Sequence, residues 1–149
     1  MEIERKFLVP DLSAVPTPER TSHIVQAYLR ADSRAVVRIR ILDEQAFLCV
    51  KGPTDTSGLS RDEYEYPIPL EDAKAMMSLC LPGEIEKQRM LIRHEGLCWE
   101  VDVFSSPHEG LVIAEIELSH PDQQINLPPW VGKEVTGDPQ YYNANLIHV

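Results

Sequence analysis

The sequence predicts a mainly β, α+β domain: eight strands forming an antiparallel sheet closed into a barrel, with a few peripheral helices. Three observations predict it. Runs with period-2 alternation and β-branched content recur along the chain, turn-like clusters separate them, and one stretch alone carries helical spacing.

Strands are expected at about 2–9, 22–30, 34–42, 45–52, 60–68, 84–93, 97–104 and 111–119. Their separators are Ala31-Asp32-Ser33, Asp43-Glu44, Gly52 to Gly58, His94-Glu95-Gly96 and Ser105 to Gly110, all rich in turn formers. Pro10, Pro16 and Pro18 make the stretch from Pro10 to Arg20 a loop. The helix comes from PLEDAKAMMSLCLPG, where Leu70, Ala73, Met76, Met77 and Cys80-Leu81 share a face and Pro82-Gly83 ends it. The tail YYNANLIHV is expected to add a final turn or two of helix. Short connections between successive strands favour antiparallel pairing, and closure leaves no free edge. No repeat or linker divides the chain, so residues 1–149 read as one domain.

Composition narrows the function classes. A hydrophobic content of 43% over 149 residues is enough to bury a core without disulfide or metal staples. No apolar run approaches the ~18 residues of a membrane span, and the acidic N-terminus is unlike a signal peptide, so a soluble, cytoplasmic protein without a membrane partner is expected. Cys49, Cys80 and Cys98 are odd in number and far apart, which argues against a disulfide framework or zinc site and for buried free thiols. His23, His94, His108, His120 and His148 form no metal-binding spacing. A net charge of −10 argues against nucleic acid as a partner, although an acidic protein can still hold a concentrated basic pocket.

The polar faces of the strands are unusual. Glu2, Glu4 and Lys6 alternate with Ile3 and Phe7, and Arg38 and Arg40 alternate with Val37, Ile39 and Ile41. Glu63 and Glu65 alternate with Tyr64 and Tyr66, and Lys87 and Arg89 alternate with Glu86, Gln88 and Met90. Asp102 stands between Val101 and Val103, Glu115 and Glu117 between Ala114, Ile116 and Leu118, and Lys51 closes FLCVKG. Each such pair puts two side chains ~6–7 Å apart on one strand face. A solvated face mixes Ser, Thr, Gln and Lys, whereas these faces offer ionisable groups with segregated sign. If the apolar faces pack outward under helix and loops, the charged faces converge inside the barrel. Buried unpaired charge is costly, so such an interior calls for ions and a charged ligand. Carboxylates suit a hard divalent cation, and lysine and arginine suit phosphate. Together they are the chemistry of a bound polyphosphate.

The chain resembles the CYTH superfamily of triphosphate tunnel metalloenzymes. The matching elements are Glu2-x-Glu4-x-Lys6, Gln26-Ala-Tyr28, Arg38-x-Arg40, Lys51-Gly52, Arg61-Asp-Glu63-Tyr-Glu65, Glu86-Lys87-Gln-Arg89, Glu100-Val-Asp102-Val-Phe104 and Glu115-x-Glu117, followed by the closing WVGKEVTGDPQYYNANL. The resemblance implies an eight-stranded tunnel, open along its length, that binds a triphosphate and a divalent metal, Mg²⁺ or Mn²⁺. It implies metal ligation by Glu2, Glu4, Glu115 and Glu117 and a phosphate grip by Lys6, Arg38, Arg40, Lys51, Lys87 and Arg89. Glu63, Glu65 and Asp102 are the candidate catalytic carboxylates that orient an attacking water, unless a second metal activates it. The implied activity is hydrolysis of inorganic tripolyphosphate or a related organic triphosphate. A class IV adenylate cyclase and a non-catalytic polyphosphate- or nucleotide-binding module are the alternatives, and a homodimer is an open assembly state.

Other residues are expected to play structural parts. Tyr64, Tyr66, Phe47 and Trp99 read as outer core, Arg5 and Arg61 as surface or structural pairs, and Asn143 as a tie for the tail. Gln26 and Tyr28 sit on a strand face that can point inward, and the direction of Lys133 and Glu134 is unreadable.

Overall fold

The computed structural model describes residues 1–147; His148 and Val149, the end of the expected tail helix, lie outside the described residues. Nine strands form it: β1 Glu2–Leu8, β2 Arg20–Ala31, β3 Val36–Leu42, β4 Gln45–Lys51, β5 Ser60–Arg61, β6 Glu63–Ile68, β7 Ile85–His94, β8 Leu97–Ser106 and β9 Val112–Glu117. The single α-helix, α1, spans Leu70–Met76, and a 3₁₀ turn at Met77–Leu79 completes the expected helical stretch. The tail contributes 3₁₀ turns at Pro139–Tyr141 and Asn143–Asn145.

The ninth strand arises because the fifth expected strand, 60–68, is divided in two. The chain breaks step at Asp62, so β5 pairs with β1 while β6 pairs with β4. Because the sheet order is β5-β1-β9-β8-β7-β2-β3-β4-β6, its two ends are consecutive in sequence. That link nearly closes the antiparallel barrel, and the split corner is the physical reason the strand count differs. Residues of the closing segment run along the rest of β1: Leu8 N–H donates to the Lys133 carbonyl and Val135 N–H to the Lys6 carbonyl, each at 2.8 Å.

The turns are locally encoded. Glu95 and Gly96 join β7 to β8 with φ of 49° and 79°, the pair of positive values that a tight right-twisted hairpin needs. Asp43, also at positive φ, turns β3 into β4, and its carboxylate accepts a hydrogen bond from His23 N–H at 2.9 Å.

The hydrophobic core is wrapped around the barrel. Phe7, Ile92, Trp99, Val101, Ala114 and Ile116 form one buried cluster on the outer side, capped by Trp130 of the closing segment. The Trp99 ring lies 5.6 Å from Phe7 and 5.9 Å from Trp130. Helix α1 buries Ala73 against Ile39 and Ala46 on the outside of β3 and β4. A third cluster has a different place. Tyr28, Phe104 and Ile113 lie on the charged-face parity of their strands, and they pack with Ile85, Leu146 and Ile147. The passage is therefore stopped at one end by apolar side chains and the C-terminal segment, which corrects the expectation of a tunnel open along its length.

Two expectations about the outer face are also corrected. Trp99 is fully buried, but Tyr64 and Tyr66 on β6 are exposed. Of the thiols only Cys49 is buried; Cys80 is half-buried and Cys98 is exposed next to the β7–β8 hairpin.

Gly58 and Gly137 fasten the rim loop to the closing segment. A Cβ on Gly58 would meet Gly137 Cα at 2.8 Å, and Gly58 has φ +79°; Gly96 has the same φ of +79° with nothing within 4 Å. Both Gly→Ala changes carry the left-handed penalty of about 1–2 kcal/mol, and only Gly58→Ala adds a backbone clash. Urea unfolding should show Gly58→Ala to be the more destabilised of the two.

Candidate active site

The inner faces of the strands enclose a cavity of about 780 Å³. Seven Lys and Arg side chains line it (Lys6, Arg38, Arg40, Lys51, Arg61, Lys87 and Arg89), out of 14 in the chain. Half of the basic charge of an acidic protein is thus gathered in one place. Glu2, Glu4, Glu63, Glu65, Glu100, Glu115 and Glu117 share the wall. Cross-strand register brings them together: Glu4 faces Glu117 and Lys6 faces Glu115 between β1 and β9, and Lys51 faces Glu63 between β4 and β6.

The charges are paired unevenly. Around β1, Glu2 is bonded by Lys51 at 3.2 Å and Arg61 at 3.2 Å, and Glu115 lies 3.6 Å from Lys6 and 3.8 Å from Arg89. Glu4 has no ion pair among the described residues. Burial and the repulsion of Glu115 and Glu2 raise its carboxyl well above the usual range. Burial works against Glu115 too, yet Lys6 and Arg89 hold it down at about 2. Glu2 stays below the ordinary range despite its burial because Glu63, Lys51 and Arg61 all favour its ionised form. Burial and the shared hydrogen bond with Glu2 push Glu63 up.

The opposite end is short of negative charge. Among the described residues Arg40 is bonded only to the neutral amide of Gln26, whose Oε1 accepts from Nε at 3.0 Å and Nη2 at 2.9 Å. Burial and the neighbouring Arg38 and Arg89 pull Arg40 down to about 10. Arg38 faces Glu65 at 3.6 Å, and its buried Nε has no hydrogen-bond partner among the described residues. Lys87 donates to Asn143 Oδ1 at 2.8 Å and contacts Asp102 at 2.7 Å. Burial still drags it down to about 7.

All six expected phosphate-binding residues, the four expected metal ligands and Glu63 and Glu65 line this cavity, with Glu117 exposed at its edge. Asp102 is the exception. It is fully buried behind the wall, accepting from Arg89 Nε at 2.8 Å and Nη2 at 2.9 Å. Arg61 also departs from expectation. It lies in the wall because β5 sets it directly opposite Glu2 of β1, which puts both side chains on one face. Arg5, one residue out of step with Glu4 and Lys6, does form the expected surface pair, a bidentate one with Glu134 at 2.8–2.9 Å. Gln26 is fully buried and donates to the Tyr28 hydroxyl at 2.9 Å. Asn143 does more than hold the tail, since its side chain accepts from both Lys87 and Gln26. Sequence reasoning assigned no role to Glu100, Thr136 or Tyr142, which also line the cavity. Glu100 was findable, two residues from Asp102 on the same strand face; the others were not, because irregular segments carry no period.

The chain matches the CYTH domain over residues 1–147. It belongs to the CYTH family. Among its relatives, an inorganic triphosphatase of Acetivibrio thermocellus is 43% identical over 98% of this chain and 92% of its own length. One from Nitrosomonas europaea is 34% identical, over 97% of this chain and 95% of its own. A crystal structure of the inorganic triphosphatase NE1496 superposes with a TM-score of 0.70 at 31% identity, covering 99% of this chain and 94% of that one. At 21% identity, a Hippeastrum protein described as a putative adenylyl cyclase with dominant triphosphatase activity shares the fold, with a TM-score of 0.68 over 81% of each chain. The fold of this CYTH protein is thus a family fold.

The uneven pairing has measurable consequences. The raised carboxyl of Glu4 costs the fold stability at pH values where it is ionised, and the cost vanishes below its ordinary value of 4.5. Glu4→Gln should therefore raise the melting temperature at pH 7 and lose that advantage by pH 4, as followed by circular dichroism.

Lys87, half-neutral near pH 7, should regain its proton when an anion binds. Calorimetry of tripolyphosphate binding at pH 8, with chelator and in two buffers, should show more proton uptake by the wild type than by Lys87→Arg, whose guanidinium is always charged.

Proposed function

We propose that this protein hydrolyses inorganic tripolyphosphate to diphosphate and phosphate with the help of Mg²⁺ or Mn²⁺. The observation that carries this reading is the polarity of the cavity: a row of basic side chains, among which Arg38 and Arg40 are under-compensated, adjoins a crowded carboxylate cluster. The partnerless Arg38 Nε and the uncompensated Arg40 fit phosphate oxygens, while the self-repelling Glu4 beside Glu2 and Glu115 fits a hard cation. The relatives named inorganic triphosphatase support the same substrate class.

Glu2, Glu4, Glu115 and Glu117 would hold the metal, which neutralises phosphate charge and polarises the bond to be broken. Lys6, Arg38, Arg40, Lys51, Lys87 and Arg89 grip the phosphate chain and fix it in line with the attacking water. Phosphoryl transfer runs through a loose transition state, so this positioning and charge neutralisation supply most of the catalysis. Glu63, raised by burial and by Glu2, accepts the proton of the water, with Glu65 beside it. Asp102 acts at one remove, by holding Arg89 and Lys87 in place.

The relevant partner is a small-molecule triphosphate. A net charge of −10 disfavours nucleic acid, and no described helix is long and apolar enough to cross a membrane. We place the protein in the cytoplasm.

A phosphate-release screen tests the reading. Tripolyphosphate should exceed ATP in kcat/KM by about tenfold or more, equivalent to about 1.4 kcal/mol, because the wall offers grips for phosphate rather than for a base or sugar. ATP should give little cyclic AMP, and chelator should abolish turnover. Glu4→Gln and Glu115→Gln should each lower kcat by at least about tenfold while the fold persists. Strong cyclic AMP formation, or full turnover in metal-free buffer, would overturn it.

A further inference from the structure

Among the described residues, Glu2 alone of the four carboxylates in the proposed metal cluster accepts hydrogen bonds from cationic side chains. Its Oε1 accepts from Arg61 Nε at 3.2 Å and from Lys51 Nζ at 3.3 Å, and its Oε2 accepts from Lys51 at 3.2 Å. The two cations are held differently. Lys51 is also tied to Glu63 at 3.2 Å and is nearly buried. Arg61 has Glu2 as its only ion pair among the described residues, and its side chain is 19% exposed at the cavity wall. Its backbone is fixed, because Ser60 and Arg61 pair with Ile3 and Glu2 of β1. Beyond Glu2, its guanidinium meets the face of Tyr142, with the ring centre 5.9 Å away.

We propose that Arg61 is a stand-in cation that couples metal binding to triphosphate binding; the inference rests on the reading of this cavity as a metal-dependent triphosphate site. In the empty protein Arg61 neutralises Glu2. A divalent ion bound to Glu2 comes within a few ångströms of that guanidinium, a like-charge contact. Metal alone must therefore displace Arg61, at a cost. A triphosphate removes the conflict, since it offers oxygens to the metal and to the released guanidinium together. Each ligand then favours the other, and by linkage the coupling is reciprocal. Arg61 is in this sense a positioning residue in the empty site and a phosphate contact in the filled one. Lys51 cannot play the same part so freely, because Glu63 restrains it when Glu2 is taken.

This makes a prediction of opposite signs. Removing the competitor should tighten metal binding to the substrate-free protein and weaken triphosphate binding to the metal-free protein. A merely structural loss at the wall would weaken both. The experiment compares wild type, Arg61→Gln and Arg61→Lys, each first shown to melt as a folded protein. Mn²⁺ is titrated into substrate-free protein and free Mn²⁺ is read by electron paramagnetic resonance. Tripolyphosphate is titrated calorimetrically in chelator, where no turnover occurs.

Arg61→Gln is expected to bind Mn²⁺ at least about fivefold more tightly and tripolyphosphate at least about fivefold more weakly than wild type. Arg61→Lys should restore both values to within about twofold, since a lysine keeps the charge. Unchanged or weaker Mn²⁺ binding by Arg61→Gln overturns the proposal. If that happens while the wild type binds Mn²⁺ and hydrolyses tripolyphosphate, the coupling fails and the triphosphatase reading stands. If the wild type neither binds Mn²⁺ nor hydrolyses tripolyphosphate, the reading of the site fails and the coupling falls with it.

Discussion

The cavity depends on one buried carboxylate. Asp102 is fully enclosed and takes both a bidentate pair from Arg89 and the ammonium of Lys87 at 2.7 Å. Its removal would leave two cations without their principal counter-charge, a loss of about 3–5 kcal/mol for a buried pair. The contacts continue outward from it. Arg89 reaches Glu100 at 3.0 Å and Glu115 at 3.8 Å, and Glu115 reaches Lys6. Lys87 reaches Asn143, which accepts from Gln26, and Gln26 in turn holds Arg40. This part of the inner face is thus one connected set of contacts centred on Asp102, while Glu2, Lys51, Arg61 and Glu63 form a second set and Arg38 with Glu65 a third.

Turning the charged faces inward inverts the usual division of a small domain. The apolar faces of the strands point out and must be covered, because a sheet buries its hydrophobic face against another layer. Helix α1 covers β3 and β4, and Trp130 in the closing segment covers Trp99 and Phe7. The same segment extends the edge of β1 and brings Thr136, Tyr142 and Asn143 to the cavity. Its length without regular structure is explained by this double duty: it follows the barrel surface and then enters one end of it.

The strands were legible because their alternation repeats on both faces, and the segregated sign of the inner face located nearly the whole wall. Arg61 shows where the reading slipped, since β5 sets it opposite Glu2 and so inside. The break at Asp62 was not legible. Alternation fixes which face a side chain takes, but not which neighbouring strand its backbone joins. Asp102 shows a second limit: a period of two tells inside from outside, not depth, so a carboxylate behind the wall reads like one on it. The stopped end was hidden for a third reason. Leu146 and Ile147 are ordinary apolar residues, and only the fold shows that they fill the mouth beside Tyr28, Phe104 and Ile113.

The acids and bases of this interior mostly answer one another, and that determines how a ligand can bind. Lys51 is held by Glu2 and Glu63, Lys6 and Arg89 by Glu115, and Arg38 by Glu65. A polyanion entering alone would have to compete with these carboxylates, and a metal entering alone would have to compete with these cations. When both enter, each set of side chains exchanges an internal partner for an external one of the same sign. The desolvation cost of the charges has already been met in folding, so the exchange adds little to it. A wall of one sign would bind its counter-ion more tightly but could not be assembled empty. On the reading proposed above, the mixed wall gives up affinity for each ligand alone and favours the pair, and the cross-strand register is what mixes the signs.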